Sequence, residues 1–412
     1  MLITTQEPLA IDGGKPVRDR HRHPWPRWPI FGHAEEQALK RVLNSGQWWY
    51  VGGTEGVSFE KEFAAFQHAQ YGVACTNGTT AIEIAIRALE IGYGDEVIVP
   101  SYTFIASASA PLMAGALPLF VDVDPQTYNI DPDQVEAAIT PRTKAIIAVH
   151  LTGRPADMDR LLAIAKHHNL YLIEDAAQAH GAEWRGRRVG ALGDLGTFSF
   201  QASKNLNAGE GGIVLSNNES LAEAAWSIMN VGRSRGGKWY EHPFPGSNYR
   251  MTEFQAALLR VQLQRLPQQI QLRSRNAAHL RQLLEQIPGI QLPIEDERIT
   301  CQSYHLYAFR YHRDAFGGHS LEEFLHALNA EGIPSMATYR PLYQQPAFAH
   351  HAARLAALTN GKITMDYTKL HHPVCEQLCA ECVWLPQYVL LGTQRDVEDI
   401  ATAIARIQKA WT

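Results

Sequence analysis

One lysine stands out because of its neighbours: Lys204 lies in a short polar loop between an apolar run and a glycine-rich turn. The apolar run covers 197–200, and the turn is Gly-Glu-Gly-Gly at 209–212. A lysine amine with a lowered pKa is a nucleophile that forms a Schiff base with a carbonyl compound. A lysine in solvent is the ordinary alternative for such a loop. The choice between the two depends on which other residues the chain places beside Lys204.

A carboxylate and two polar side chains follow another apolar run. Asp175 comes directly after the run Tyr171–Glu174, and Gln178 and His180 follow shortly. A carboxylate at the end of a buried strand is costly unless it has a positively charged partner. A protonated pyridine nitrogen is such a partner, because it donates a charge-assisted hydrogen bond. Asp175 is therefore predicted to pair with the ring nitrogen of a pyridine cofactor.

The segment Thr-Asn-Gly-Thr-Thr at 76–80 lies between the apolar run Tyr71–Cys75 and a helical pattern. Backbone amides at a helix N-terminus bind phosphate, and hydroxyl groups add donors. A plain helix cap is the alternative interpretation. The segment lacks the spacing of a dinucleotide turn or a nucleotide P-loop, which favours one phosphate over a pyrophosphate. Ser199 is predicted to be a further donor to this phosphate.

A nucleophilic lysine, a carboxylate for a pyridine nitrogen and a phosphate cradle are the requirements of pyridoxal phosphate (PLP) chemistry. The chain offers them in Lys204, Asp175 and the segment 76–80, so PLP is the predicted cofactor. Phe104 follows the apolar run Glu96–Pro100 and opens a helix. An aromatic ring in that place either stacks on a flat cofactor or packs in the core.

These residues must be positioned by the elements around them, and helical and strand patterns alternate between 59 and 216. Strands this apolar are typical of a mainly parallel sheet between layers of helices. Ligands of such sheets bind at the carboxyl ends of the strands, where the candidate residues lie. The predicted helices are Phe59–His68, Thr80–Glu90, Ala106–Ala114, Asp133–Ile139 and Met158–His168. The predicted strands are Tyr71–Cys75, Glu96–Pro100, Pro118–Val123, Ala145–Val149, Tyr171–Glu174, Thr197–Phe200 and Ile213–Leu215.

The chain divides into three predicted parts: an arm at 1–30, a large PLP-binding domain at 31–265 and a small α+β domain at 266–412. Its length of 412 residues suffices for two domains with separate cores. A long helical region, Glu253 to about Leu284, is predicted to join the two domains. In the small domain, the segment 320–323 has a capping-box pattern that predicts a helix start.

Composition and charge argue against several classes of protein. The formal net charge is -5, with no basic stripe for nucleic acid and no apolar run long enough for a membrane span. The first ten residues lack the basic start and apolar stretch of a signal peptide. Five cysteines, an odd number, argue against a disulfide framework, so the predicted location is the cytoplasm.

A cluster of histidine and cysteine near the C-terminus has spacings that suit a metal. His371 and His372 precede Cys375, Cys379 and Cys382, a pattern that can bind zinc or an iron–sulfur cluster. The three cysteines also fall close to one helical face, where cysteine serves as a small apolar residue. The second interpretation is preferred, and no metal site is predicted.

Five motifs, in their order along the chain, resemble those of the DegT/DnrJ/EryC1/StrS family of sugar and cyclitol aminotransferases. They are Asn-Gly-Thr-Thr-Ala at 77–81, Thr-Phe at 103–104, Glu-Asp-Ala-Ala-Gln-Ala-His-Gly at 174–181, Ser-Phe-Gln-Ala-Ser-Lys at 199–204 and Gly-Glu-Gly-Gly at 209–212. The resemblance implies PLP fold type I, the aspartate-aminotransferase architecture, with a mainly parallel seven-stranded sheet. Some relatives carry histidine instead of the lysine and are dehydratases, but this chain keeps Lys204.

The resemblance also implies a role for each candidate residue around the cofactor ring. Lys204 would form the Schiff base with PLP, and Asp175 would pair with the pyridine nitrogen. Gln178 would contact the ring or its 3-hydroxyl, and Phe104 would stack on the ring. The catalytic residues implied in this way are Lys204 and Asp175.

A second group of residues is implied to hold the phosphate. Gly78, Thr79 and Ser199 would bind it from the same subunit. Asn248, in Ser-Asn-Tyr-Arg-Met at 247–251, matches an asparagine that the second subunit of family members sends to the phosphate. A homodimer with shared active sites is the expected assembly.

The predicted reaction moves an amino group from L-glutamine or L-glutamate to a keto-cyclitol of the scyllo-inosose type. The Gly-Gly-x-Pro-x-Arg arm at 13–18 resembles that of glutamine-dependent cyclitol aminotransferases, and four tryptophans of the segment 25–49 suit the apolar faces of an uncharged ring. Trp48 and Trp49 could equally pack in the core. A nucleotide-keto-sugar aminotransferase, which the arginines of the arm would suit, and a 3-amino-5-hydroxybenzoate synthase are alternatives.

Two further classes of protein are alternatives to an aminotransferase. A PLP-binding regulator would keep the cofactor site without turnover, and a dehydrogenase would require the dinucleotide glycine fingerprint that the chain lacks. In the small domain, His305, Tyr339 and Arg340 either meet a hydroxyl or carboxylate of the substrate or form ordinary surface hydrogen bonds.

Overall fold

The computed structural model describes residues 7–412, which form twelve α-helices and fourteen β-strands. The helices are α1 His33–Ser45, α2 Glu55–Phe66, α3 Gly78–Ala88, α4 Ala106–Met113, α5 Pro132–Ala138, α6 Met158–His168, α7 Glu219–Met229, α8 Glu253–Leu284, α9 Leu321–Ala330, α10 Pro346–Leu358, α11 Pro373–Glu381 and α12 Gln394–Trp411. The strands are β1 Tyr71–Cys75, β2 Glu96–Pro100, β3 Leu117–Val121, β4 Thr143–Val149, β5 Tyr171–Asp175, β6 Glu183–Trp184, β7 Arg187–Arg188, β8 Leu195–Ser199, β9 Gly212–Ser216, β10 Ile290–Gln291, β11 Ile299–Cys301, β12 Leu306–Tyr311, β13 Met336–Ala337 and β14 Cys382–Pro386.

A seven-stranded sheet forms the centre of the larger part, in the order β1-β9-β8-β5-β4-β2-β3. The pairs from β8 through β3 are parallel, whereas β9 is antiparallel to both of its neighbours. The predicted α/β class with a mainly parallel sheet is confirmed. Because the carboxyl ends of β5 and β8 share one edge of this sheet, the residues that follow them are brought close together.

Helices cover both faces of the sheet, as the apolar strands require. Side chains alternate along each strand, so Val97 and Val99 of β2 join one buried cluster while Ile98 joins the other. Burial on both faces explains why these strands are continuously apolar rather than alternating. Each predicted strand corresponds to a real one, with ends that differ by at most a few residues.

Helix α2 shows why one predicted boundary was wrong. The sequence pattern begins at Phe59, but the helix begins at Glu55. The Glu253 carboxylate, from the start of α8, accepts hydrogen bonds from the backbone amides of Glu55 at 2.7 Å and Gly56 at 2.8 Å. Because the first amides of a helix lack partners within it, a cap from a distant residue extends the helix toward its N-terminus.

The smaller part has its own sheet, in the order β10-β12-β14-β13, packed against α9 and α12. Residues 9–25 of the arm lie on this part, because Leu9 is in its apolar core and Val17 and Trp25 pack against that core. Arg18 fixes the arm through ion pairs of 2.7 and 2.8 Å to Asp396 and Asp399. Helix α8 runs through the predicted limit at 265/266, and the three domain ranges stay a prediction.

The three cysteines near the C-terminus are arranged differently from the prediction. Cys375 and Cys379 lie on α11, but Cys382 begins β14, because the helix ends at Glu381. The three cysteines therefore do not share one helical face.

Within 7–412, no three His, Cys, Asp or Glu side chains are grouped as metal ligands. In the same range, no helix combines the length and apolar character needed to cross a bilayer.

Candidate active site

Asp175 is the last residue of β5 and is only 6% exposed. Its Oδ1 accepts a hydrogen bond from the Ala177 amide at 3.2 Å, and its Oδ2 accepts one from Ser107 Oγ at 2.7 Å. Among the described residues, no lysine, arginine or histidine forms an ion pair with this carboxylate. A buried carboxylate without a cation is the arrangement that a protonated ring nitrogen would complete.

Lys204 lies in the turn after β8, where its backbone amide donates to Gln201 O at 2.8 Å. The side chain is half-buried. Burial lowers the pKa of Lys204 to about 8, although the negative charge of Asp175 opposes this effect. The amine is therefore closer to its nucleophilic, neutral form at physiological pH than an ordinary lysine.

Two buried histidines surround the lysine without adding positive charge. His180 Nε2 donates to the carbonyl oxygen of Ser199 at 2.9 Å. Burial, followed by the charge of Lys204, lowers the pKa of His180 to about 3, and the same two causes hold the pKa of His305 well below its ordinary value. Both rings are therefore held in the neutral form and add no positive charge beside Lys204.

The start of α3 presents free donors toward the same edge. Asn77 caps the helix by accepting from Thr80 N at 2.9 Å, and the Thr80 hydroxyl donates back to Asn77 O at 2.8 Å. Within 7–412, the Gly78 and Thr79 amides have no hydrogen-bond acceptor, and the Thr79 side chain is exposed. Two unpaired amides at the positive end of a helix are a site for an anion.

Ser199, the last residue of β8, closes this cradle from the other side. A Cβ built on Gly78 would come within 2.6 Å of Ser199 Cβ, so only glycine allows this approach. Gly212, which pairs with Ser199, approaches the backbone of Asn77 equally closely. The glycines at 78 and 212 are therefore required by the packing of α3 against β8 and β9.

An aromatic face and an amide side chain complete the site. The Phe104 ring is 54% exposed, and its centroid lies 6.3 Å from that of Tyr339. Gln178 is held at both ends of its amide, because Oε1 accepts from Thr152 N at 2.7 Å and Nε2 donates to Tyr339 Oη at 3.1 Å. An exposed aromatic face beside a fixed amide suits a flat ring.

Some predicted residues lie elsewhere. Asn248 is exposed and bridges to Asn230 through backbone pairing. Within 7–412, its side chain forms no hydrogen bond with the residues above. Arg340 is also exposed, whereas its neighbour Tyr339 faces Gln178. The structure therefore gathers every predicted cofactor residue except Asn248 at one edge of the sheet.

The tryptophans separate into different environments. Trp25 packs against the core of the smaller part rather than offering its ring to a substrate, and its indole nitrogen donates to Gly332 O at 2.9 Å. Trp28 donates to Ala202 O at 2.9 Å, two residues before Lys204. Trp48 and Trp49 are exposed, so of the two interpretations offered for them, core packing is wrong.

Sequence reasoning missed two side chains that this site contains. Ser107 bonds Asp175 from 68 residues away. Arg273 of α8 is fully buried, its guanidinium lies 5.4 Å from the centroid of the Trp28 ring, and its Nε donates to Gln387 Oε1 at 2.9 Å. Burial lowers the pKa of Arg273 to about 9. A serine or an arginine inside a helical pattern carries no signal of its own, although Ser107 follows Phe104 by one helical turn.

The donor set fits PLP. The group has a ring nitrogen for the unpaired carboxylate of Asp175, an aldehyde for the amine of Lys204 and a phosphate for the free amides of Gly78 and Thr79. The exposed face of Phe104 is available to its ring. Among residues 7–412, none of these groups already has the partner that PLP would supply.

Comparison with known proteins agrees with this geometry. The DegT/DnrJ/EryC1/StrS aminotransferase family matches residues 29–405. An L-glutamine:2-deoxy-scyllo-inosose aminotransferase from Streptoalloteichus tenebrarius is 40% identical over 420 residues, which cover 97% of this chain and 97% of the relative. A 3-amino-5-hydroxybenzoate synthase from Amycolatopsis mediterranei is 40% identical over 388 residues, which cover 93% of this chain and 98% of the relative.

A solved structure supports the fold in the same way. The crystal structure of a 3-amino-5-hydroxybenzoic acid synthase matches with a TM-score of 0.85 at 38% identity, covering 94% of this chain and 99% of that chain. This coverage, together with the mainly parallel seven-stranded sheet, confirms the aspartate-aminotransferase-like architecture. The chain therefore belongs to the DegT/DnrJ/EryC1/StrS aminotransferase family.

Proposed function

We propose that this chain uses PLP to move the amino group of L-glutamine or L-glutamate to a keto-cyclitol of the scyllo-inosose type. The observation that carries the proposal is the unpaired carboxylate of Asp175 beside the half-buried amine of Lys204, next to the free amides of α3. A relative named for 2-deoxy-scyllo-inosose is similar over 97% of this chain, which supports a keto-cyclitol as the acceptor of the amino group.

Lys204 is proposed to hold the cofactor and to move the proton. PLP, when bound, supplies an electron sink for the carbon that carries the amino group. Lys204 Nζ removes the proton from that carbon and returns it during transfer, as a general acid–base. A pKa of about 8 suits this role, because the amine can both accept and release a proton close to neutral pH.

Other side chains are proposed to bind and orient. The Asp175 carboxylate accepts the bond from the ring nitrogen and keeps it protonated. Phe104 covers one face of the ring, and the fixed amide of Gln178 contacts its edge. Gly78, Thr79 and Ser199 bind the phosphate, whose charge is favoured by the positive end of α3. The two neutral histidines add no competing charge.

Two of the four arginines of the arm already have partners within the chain, which favours an uncharged acceptor over a nucleotide diphosphate. Arg18 is paired with Asp396 and Asp399, and Arg20 donates to Gly332 O at 3.1 Å. A diphosphate would require arginines that are free to bind it. Trp28, whose indole bonds Ala202 beside Lys204, offers instead an apolar face for a cyclitol.

A second candidate is the activity of a 3-amino-5-hydroxybenzoate synthase. A relative with that name is also 40% identical to this chain. Trp48 and Trp49 favour this candidate as well, because their exposed rings are available to line a pocket for a flat product.

A homodimer with shared active sites is part of the proposal. Asn248 is exposed on a segment that also exposes Trp239, Tyr240 and Phe244. Large aromatic side chains grouped on one exposed segment are typical of a surface that another protein covers. In a dimer, this segment would bring Asn248 to the phosphate of the partner.

The deciding experiment compares acceptors under one donor. With L-glutamine, kcat/KM is measured for scyllo-inosose and for a nucleotide-linked 4-keto-hexose. We expect turnover of scyllo-inosose that depends on added PLP and is lost in Lys204→Ala. A much higher kcat/KM for the nucleotide sugar would make the cyclitol assignment wrong. Absence of amino transfer to any ketone from a folded, PLP-loaded protein would contradict the whole proposal.

A further inference from the structure

The carboxylate of Asp175 is the end of a chain of three buried side chains. Ser107 Oγ lies 2.7 Å from Asp175 Oδ2, and Thr103 Oγ1 lies 3.2 Å from Ser107 Oγ. Ser107 is fully buried and Thr103 is nearly so. Among the described residues, no other side-chain hydroxyl bonds this carboxylate. The hydroxyl groups of Ser107 and Thr103 have no role in the reaction proposed above.

The direction of the hydrogen bonds follows from the chemistry of the three groups. An ionised carboxylate only accepts, so the proton between Ser107 and Asp175 belongs to Ser107. Ser107 then has only lone pairs left for Thr103, so Thr103 is the donor in the second bond. The hydrogen bonds therefore run in series from Thr103 through Ser107 to Asp175, and each hydrogen bond polarises the next.

This series of hydrogen bonds fixes the plane of the Asp175 carboxylate. Ser107 holds Oδ2, while the Ala177 amide holds Oδ1 at the longer distance of 3.2 Å. The terminal torsion of an aspartate is broad, so without such bonds the carboxylate would rotate. Rotation matters because a hydrogen bond from the ring nitrogen weakens steeply when its angle is poor.

Ser107 shares a helical turn with the aromatic residue of the site. Its backbone amide donates to the carbonyl oxygen of Phe104 at 3.2 Å, where the chain enters α4. One turn therefore carries both the exposed ring of Phe104 and the hydroxyl that contacts Asp175. A displacement of this turn would disturb the face and the nitrogen of a bound ring together.

We propose that Ser107 is a positioning residue that orients Asp175 toward the ring nitrogen of PLP, with Thr103 as its support. The inference rests on the proposed function, because it requires PLP as the cofactor. It assigns the turn at 103–107 two tasks, stacking through Phe104 and alignment of the carboxylate through Ser107.

The test compares three variants with the wild-type chain. Ser107→Ala removes the donor, and Thr103→Val removes only the supporting hydroxyl with little change of shape. Ser109→Ala is the matched control, because Ser109 lies on the same helix and its side chain has no hydrogen bond among 7–412. Two quantities are measured: the Kd for PLP by equilibrium dialysis of the apoprotein, and the pH midpoint of the visible absorption of the loaded protein.

Ser107→Ala is expected to weaken PLP binding about 10- to 100-fold, the range for loss of a hydrogen bond to a charged group. The pH midpoint of the visible band should shift as well, because the charge of Asp175 acts on the lysine–cofactor bond. Thr103→Val should shift both quantities in the same direction by less. Ser109→Ala should leave both unchanged. A purely structural serine would not produce this graded shift of the pH midpoint.

Thermal unfolding of each apoprotein shows whether the variants are folded. Wild-type Kd and pH midpoint in a folded Ser107→Ala protein would overturn the inference and leave the proposed function intact. If Ser107→Ala does not fold, Thr103→Val decides, and an unchanged pH midpoint there overturns the inference. A folded wild-type chain that binds no PLP would overturn the proposed function, and this inference with it.

Discussion

Gly78 and Ser199 approach so closely that a Cβ on the glycine would lie 2.6 Å from the Ser199 Cβ and 3.2 Å from its Oγ. The start of α3 and the end of β8 are therefore in contact where glycine lacks a side chain. This contact sets the distance between the free amides of α3 and the Ser199 hydroxyl, the two groups proposed to bind one phosphate.

Gly78→Ala tests that spacing. The added methyl group must push Ser199 or α3 aside, and overpacking of this kind typically costs about 1–3 kcal/mol of stability. We expect the Kd for PLP to rise at least about tenfold, because the phosphate donors separate. Gly32→Ala is the control, since a Cβ there meets nothing within 4 Å. Unchanged PLP binding in folded Gly78→Ala would show that the cradle is not the phosphate site.

Lys204→Ala should abolish amino transfer while PLP still binds, because the contacts to ring and phosphate remain. Borohydride reduction of the loaded wild type, followed by peptide mapping, should find the cofactor on Lys204. Lys144→Ala, at an exposed position of β4, serves as the control and should behave as wild type. A label on another lysine would contradict the assignment.

Much of this site could be predicted from the sequence, because parallel strands bring their carboxyl ends to one edge. Asp175 ends one strand and Lys204 follows another, so local patterns alone indicate that they meet. The same holds for the helix start at Gly78, where a strand, a capping residue and a helix follow one another. Each of these signals lies within a few residues of the group that it predicts.

Contacts made by tertiary packing could not be predicted in this way. The bond from Ser107 to Asp175 spans 68 residues, and the cap that Glu253 provides for α2 spans 198. Neither pair has a spacing that a single sequence could reveal. The place of Trp25 on the smaller part could not be predicted either, because its hydrogen bond to Gly332 spans 307 residues.

Glu60 provides a prediction about pH and stability. Its side chain is buried and accepts hydrogen bonds from Tyr50 Oη and Ala74 N, both at 2.8 Å. Burial nevertheless raises the pKa of Glu60 from 4.5 to about 7. Between these values the folded chain binds the proton more tightly than the unfolded chain. Protonated Glu60 therefore contributes fully to the free energy of unfolding below pH 4.5, and this contribution is lost as the pH rises through 7.

Glu60→Gln should remove this dependence, because the amide stays neutral at every pH. As the pH rises from 5 to 8, the free energy of unfolding of the variant should increase relative to that of wild type by up to about 3 kcal/mol. The thermal midpoint of the apoprotein, measured across that range, is the readout. Glu297→Gln, at an exposed position that forms no ion pair among residues 7–412, is the control. Parallel pH profiles for wild type and Glu60→Gln would contradict a buried, titrating Glu60.

The shared active site is tested by mixing two defective subunits. Lys204→Ala lacks the amine, and Asn248→Ala lacks the proposed phosphate contact to the partner. In a mixed dimer, one site combines Lys204 of the second variant with Asn248 of the first and is wild type in both respects. Amino transfer should therefore recover on mixing, after exchange of subunits under mild denaturant.

The control for this experiment mixes Lys204→Ala with a chain that carries both substitutions, so that no wild-type site can form. Recovery only in the first mixture indicates that Asn248 acts across the interface, as its exposure on the segment with Trp239 and Tyr240 suggests. If Asn248 served its own subunit, each mixed dimer would keep one defect in every site and activity would stay low. Sedimentation of the active wild type as a monomer would contradict the shared site independently, because no partner would be present to supply the asparagine.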